Sequence, residues 1–269
     1  MQTLLKAEDL VKRYARRKLS GSREEVTAVA GVSFSISRGN TLAVVGESGS
    51  GKSTLAFCLA GLEYPTSGTI SFEGRDIAQL AANERRELLP KIQLIFQDPA
   101  NSLNPRWSVR KILFEPFVVQ GQLRRNEMEQ RALTLLLQVG LSPDMFERPP
   151  SGLSGGQRQR LAIARALALE PKLLILDEAL SALDCSVQAQ IANLLLELQS
   201  SLGMTYLFIT HDLAMAAHLA DEIVVMNRGR IVEQGPPEKI LKQPQHGTTR
   251  QLLAATLSLD RSTQRAREQ

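Results

Sequence analysis

The chain has 269 residues, 43% hydrophobic and 22% charged, with 32 Lys and Arg against 28 Asp and Glu for a net charge of +4. That length fits one large α/β domain with an inserted or appended subdomain, and no apolar run approaches the roughly 18 residues of a membrane-spanning helix. The positive excess is small and spread out, which argues against nucleic acid as a partner, and two cysteines without a CxxC pair argue against a metal cluster. The start, MQTLLKAEDL, lacks the basic, apolar and small-residue regions of a secretory signal, so a cytoplasmic chain is expected.

From the N-terminus, Lys12 to Glu25 carries Arg13, Arg16, Arg17, Lys18 and Arg23 around Ser-Gly-Ser and reads as a solvated loop between two early strands. Val26 to Ile36 alternates as an antiparallel strand does. Thr41 to Val45 is a short apolar run ending in glycine, and Lys52 to Leu62 follows with helical periodicity: strand, loop, helix. Between Asp98 and Ser151 the β-branched pattern gives way to two amphipathic stretches, Val109 to Val119 and Asn126 to Leu137, a candidate inserted helical subdomain. Lys172 to Leu176 and Thr205 to Ile209 read as buried parallel strands, so the sheet is expected to be mixed. Cys58 and Trp107 read as packing residues, and for Cys185, beside Asp184, packing is favoured over a redox role. The polar end, 261–269, is expected to be disordered.

GESGSGKS, Gly46 to Ser53, matches the phosphate-loop pattern G-x-x-x-x-G-K-[ST] with the required strand before and helix after it. Glycines at 46, 49 and 51 let backbone N–H groups turn toward phosphates, and the helix N-terminus adds a positive dipole end. Lys52 neutralises β- and γ-phosphates in such a loop, and the Ser53 hydroxyl ligates Mg²⁺. The predicted nucleotide-binding residues here are Gly46, Glu47, Ser48, Gly49, Ser50, Gly51, Lys52, Ser53 and Thr54. LLILDE places Asp177 and Glu178 at the end of a buried strand, where ligands bind in open α/β sheets. Paired with the phosphate loop, Asp177 is expected to hold Mg²⁺ through its hydration shell and Glu178 to act as general base on the attacking water.

The remaining motifs carry a resemblance to the ATP-binding-cassette (ABC) family. LSGGQRQR, Leu153 to Arg160, resembles the family signature, Gln97 in IFQDP the glutamine loop, ALSALD ending at Asp184 the D-loop, and His211 in FITHD the switch histidine. Tyr14 stands where the family's adenine-stacking aromatic is expected. The resemblance implies a P-loop NTPase: a RecA-like core with an antiparallel β subdomain over 1–98 and 152–235, a helical insert over 99–151, and an extension over 236–260. It further implies that Gln97 senses Mg²⁺ and the attacking water and that His211 contacts the γ-phosphate. Ser154, Gly155, Gly156 and Gln157 would face the ATP of an opposing subunit. Leu180 departs from the threonine many members carry.

SLNPR after the glutamine loop and PQHGTTRQLL, Pro244 to Leu253, resemble the importers of dipeptides, oligopeptides and nickel, with departures at Gly247 and Thr248 and without the cysteine cluster some members carry. That group implies two ATPase subunits, identical or related, beneath two membrane permeases at the cytoplasmic face of the inner membrane, with an extracytoplasmic binding protein delivering solute. A soluble cassette acting on ribosomes or DNA is the alternative, argued against by the single cassette and the absence of long heptad insertions. An exporter module is argued against by SLNPR and the C-terminal segment.

Overall fold

The computed structural model describes residues 2–17, 23–97, 102–121 and 123–255, so the expectation for 261–269 lies outside the described residues. In chain order the first elements are β1 (Thr3–Arg17), β2 (Arg23–Ser37), β3 (Thr41–Val45), α1 (Lys52–Leu59), β4 (Ser67–Phe72), β5 (Arg75–Asp76), α2 (Ala82–Leu88) and β6 (Ile92–Ile95). Next come α3 (Val109–Gln120), α4 (Arg125–Gln138), α5 (Gly155–Leu167), β7 (Leu173–Asp177) and α6 (Cys185–Leu202). The remainder is β8 (Thr205–Thr210), α7 (Leu213–Leu219), β9 (Glu222–Asn227), β10 (Arg230–Gly235), α8 (Pro237–Lys242) and α9 (247–255). The chain forms two compact units, one from Met1–Arg85 with Thr205–Gln269, the other from Arg86–Met204.

In the first unit, β2-β1-β4-β5 form an antiparallel sheet. Val32, Phe34 and Ile36 are buried while Gly31, Ser33 and Ser35, alternating with them, are exposed, the period-2 pattern of a strand with one face on the core. A second sheet sets β3 between β8 and β9, parallel to both, and adds β10 antiparallel to β9. Every residue of β3 and β8 is buried, as expected of central parallel strands. Each such Leu or Ile contributes about 1.5–3 kcal/mol of apolar burial.

Lys12–Arg17 is not loop: β1 continues through it and pairs with β2 out to Arg17 opposite Arg23. Arg13, Tyr14 and Ala15 are exposed, so the basic composition marks the exposure of the strand end and not an absence of pairing. The other end of that expected loop, Arg23–Glu25, likewise belongs to β2, and residues 18–22 lie outside the described residues.

The second unit carries the parallel pair β6 and β7, with Ile95 opposite Leu176. Helices α3 and α4 span the two amphipathic stretches; Ser108 caps α3, Gly121 ends it at φ 65°, and Arg124 N–H donates to the Glu127 carboxylate at the start of α4. Val109, Ile112, Leu113 and Phe117 of α3 and Ala132, Leu135 and Leu136 of α4 are buried. Arg165 of α5 ties α3 in place, pairing with Glu115 at 2.7 Å and donating to the Ser102 carbonyl at 3.3 Å. Trp107 is half-buried with the Lys111 ammonium 4.5 Å from its ring centroid. Cys58 is buried as expected, whereas Cys185 is exposed in the first turn of α6 and does not serve packing.

The C-terminal segment is tied to β10 through one carboxylate. Glu233 accepts from Gln245 N–H at 2.9 Å, His246 N–H at 3.0 Å and the Thr249 hydroxyl. Desolvation by burial opposes its charge, but these bonds together outweigh it and hold the carboxyl below its ordinary range. A depressed carboxylate stabilises the fold above its unfolded pKa and loses that contribution as pH falls through the folded value. Amide protection across 245–250, corrected for intrinsic exchange, is therefore expected to drop as pH falls below about 4. Glu233→Ala should show the low protection already at pH 7; protection unchanged by both pH and substitution would remove Glu233 from this role.

Candidate functional site

The predicted site residues fall into two sets. Tyr14, Gly46–Thr54 and His211 belong to the first unit; Gln97, Ser154–Gln157, Asp177, Glu178 and Asp184 belong to the second.

In the first set the loop after β3 is held by close backbone packing. A Cβ on Gly46 would come 2.4 Å from the Met226 carbonyl oxygen, and one on Gly51, at φ 102°, 2.1 Å from that of Ala28. Neither position accepts a side chain without moving β9 or β2. The turn between β9 and β10 braces the loop, since Gly229 N–H donates to the Ser50 carbonyl at 2.9 Å. Lys52 is only 4% exposed, and its ammonium folds back over the loop, donating to the carbonyls of Gly46 at 2.8 Å and Glu47 at 2.9 Å. Glu47, Ser48, Gly49 and Ser53 are exposed. No side chain caps α1 and no acidic residue occupies its first turn, which leaves the positive end of the helix dipole uncompensated by charge. The buried Ser50 hydroxyl oxygen has no hydrogen-bond partner among the described residues. A cation, a helix N-terminus and an unsatisfied buried hydroxyl in one cradle fit a polyphosphate.

Tyr14 and His211 join this set by different routes. Tyr14 pairs across from Val26 and donates its hydroxyl to Glu63. Burial, then the Glu63 carboxylate, pushes its phenol pKa up. His211 follows Thr210, which sits opposite Val45, so the exposed imidazole stands at the same end of the sheet as Gly46. Asp212 next to it caps α7 through Ala214 and Met215 N–H.

In the second set Asp177 ends β7 at 5% exposure, and Glu178 turns the chain at φ 47°. Such left-handed geometry in a residue other than glycine costs of order 1–3 kcal/mol and persists where surrounding bonds over-determine it. Here the Glu178 carbonyl accepts from Ser181, both N–H at 3.1 Å and hydroxyl at 2.8 Å. Gln97 donates its amide to the Glu178 carboxylate at 3.2 Å, so these two predicted residues do meet.

The signature and D-loop also meet. Ser154 caps α5 in a reciprocal box with Gln157, accepting from Gln157 N–H at 3.2 Å while Ser154 N–H donates to the Gln157 amide oxygen at 2.9 Å. A Cβ on Gly156 would meet Val187 of α6 at 2.6 Å, which explains a glycine where α5 and α6 pack. Asp184 caps α6 through Val187 N–H at 3.0 Å. Leu180 is buried, so the position that departs from the family's threonine serves packing.

Three residues were missed by sequence reasoning. Lys12 and Glu63 surround Tyr14, and only the pairing of β1 brings them there; Gln159 is fully buried, with neither amide atom hydrogen-bonded among the described residues, and nothing in its local pattern sets it apart.

Residues 29–181 match the family described as ABC transporter. The chain is 46% identical over 267 residues to the dipeptide transport ATP-binding protein DppF of Escherichia coli, covering 99% of this chain and 80% of that protein. It is 50% identical over 254 residues to a probable peptide ABC transporter ATP-binding protein of Sinorhizobium fredii, covering 94% and 72%. Among solved structures it is similar to cbiO1 from Clostridium perfringens, part of the ABC transporter complex cbiONQ, with a TM-score of 0.77, 33% identity and coverage of 90% and 92%. A dimeric ATP-binding cassette in a post-hydrolysis state bound to ADP and Pi gives a TM-score of 0.76 at 29% identity, covering 87% and 99%. Fold and phosphate cradle together define a P-loop ATPase that binds nucleotide. The chain belongs to the ABC transporter family, as an ATP-binding subunit.

Proposed function

We propose that this chain is the ATP-hydrolysing subunit of a peptide importer, working as a dimer with an identical or related cassette beneath two permeases at the cytoplasmic face of the inner membrane. What carries the reading is identity along nearly the whole chain to proteins named for dipeptide and peptide transport. The SLNPR and PQHGTTRQLL segments support it, and so does the absence, among the described residues, of any helix long and apolar enough to cross a membrane.

In this reading Gly46–Thr54 hold the triphosphate, with Lys52 supplying charge, and Ser53 and Asp177 hold Mg²⁺, which when bound neutralises phosphate charge. Glu178 receives the proton of the attacking water, Gln97 orients that carboxylate, and His211 contacts the γ-phosphate. Ser154–Gln157 and Asp184 serve the partner cassette's ATP. Residues 1–98 with 152–235 act as the core, 99–151 as the helical arm toward the permeases, and 236–260 as the importer-group extension.

The test is ATPase activity of the chain copurified with its permeases in lipid nanodiscs, with binding protein and solute added. Dipeptides or oligopeptides are expected to stimulate turnover several-fold. Stimulation by Ni²⁺ alone would move the assignment to a metal importer, and copurification with ribosomes or DNA in place of permeases would overturn import.

A further inference from the structure

Tyr14 is 36% exposed, yet its ring is held from several sides. Its hydroxyl donates to the Glu63 carboxylate. Glu63 sits four residues beyond α1, and its carboxylate also receives the Lys12 ammonium at 3.1 Å. Lys12 in turn donates to the Tyr64 carbonyl at 2.9 Å and lies 5.0 Å from the Tyr14 ring centroid. With side chains 15% and 29% exposed, Lys12 and Glu63 form a largely covered pair and not a solvated surface contact.

The consequence is directional. An aromatic ring offers two faces to a stacking partner, and a cation over one face occupies it. Lys12 takes one face of Tyr14, and the hydrogen bond to Glu63 anchors the hydroxyl end of the ring beside the segment that follows α1. The opposite face is what remains for a flat ligand, next to the helix whose N-terminus fits the phosphates. A ring fixed beforehand also spares its ordering on binding, worth on the order of 2- to 10-fold in affinity for one side chain.

We propose that Glu63 is a positioning residue for the nucleotide base: by gathering the Tyr14 hydroxyl and the Lys12 ammonium it presets the ring and selects the face on which the base stacks. This rests on Tyr14 being the base platform. The hydrogen bonds and ion pair that Glu63 makes among the described residues go to Tyr14, Lys12 and Phe57 and not to the phosphate loop, so its effect is confined to ligands that carry a base.

The test compares ATP with inorganic tripolyphosphate, both in the presence of Mg²⁺ and competing with a fluorescent ATP analogue for the full chain. Glu63→Ala is expected to weaken ATP about 3- to 10-fold and leave tripolyphosphate unchanged, while Glu63→Gln, which keeps an acceptor for the phenol, restores most of the loss. In a Tyr14→Phe background, Glu63→Ala should add little further. Equal weakening of both ligands, or an undiminished effect in the Tyr14→Phe background, overturns the proposal. If Tyr14→Ala weakens ATP selectively but Glu63→Ala does not, the proposal alone fails. If Tyr14→Ala leaves ATP and tripolyphosphate alike unchanged, the base-platform reading falls and takes the proposal with it.

Discussion

Glu178→Gln is expected to leave ATP affinity within about twofold and to lower turnover in the assembled transporter by roughly 10²- to 10⁴-fold, the usual contribution of a general base. The substitution is nearly isosteric, and the left-handed turn at 178 is fixed by the carbonyl bonds to Ser181, which the side chain does not supply. Gln97 keeps an oxygen to donate to. What disappears is the group that can accept a proton from water. ATP should therefore persist on the enzyme and the cassette dimer should accumulate, visible by size exclusion in ATP without turnover. Hydrolysis near the unmodified rate would remove Glu178 from the role of base.

The parts of this molecule that sequence shows plainly are those written locally. Strand β3, the glycine loop and α1 form one uninterrupted run from Thr41 to Leu59, in which apolar stretch, glycine spacing and helical period each constrain the next element. What stayed hidden depends on pairing across distance. Tyr14 and Glu63 are 49 residues apart, and no periodicity announces that the basic end of β1 continues as a strand beside Val26. Charge composition reports exposure, and exposure alone does not separate a loop from the open end of a two-stranded ribbon. The contact between Gly156 and Val187 was likewise invisible, because it is set by the crossing of α5 and α6 and not by either helix's own pattern.

Lys52→Ala is expected to act at the earlier step, weakening ATP by about 10- to 100-fold, the cost of losing one charged hydrogen-bonding group. Turnover should fall with binding, in contrast to Glu178→Gln, where the two separate. The ammonium now bonds to the carbonyls of Gly46 and Glu47, so it holds the loop as well as offering charge. Loop support alone would predict a loss of thermal stability without bound nucleotide. Phosphate neutralisation predicts a loss of the stability gained on adding ATP, since ligand binding to the native state raises it with the logarithm of ligand concentration over Kd. The ATP-induced shift in Tm is thus the discriminating measurement, and it is expected to shrink sharply, whatever the loss of loop support does to the ligand-free Tm. Lys52→Arg should not restore it: the side chain is almost fully enclosed, and a planar guanidinium does not fit where a compact ammonium reaches two carbonyls of a loop that lies against β2 and β9. An unchanged ATP-induced shift in Lys52→Ala would mean that the cradle binds phosphate through backbone and helix dipole alone.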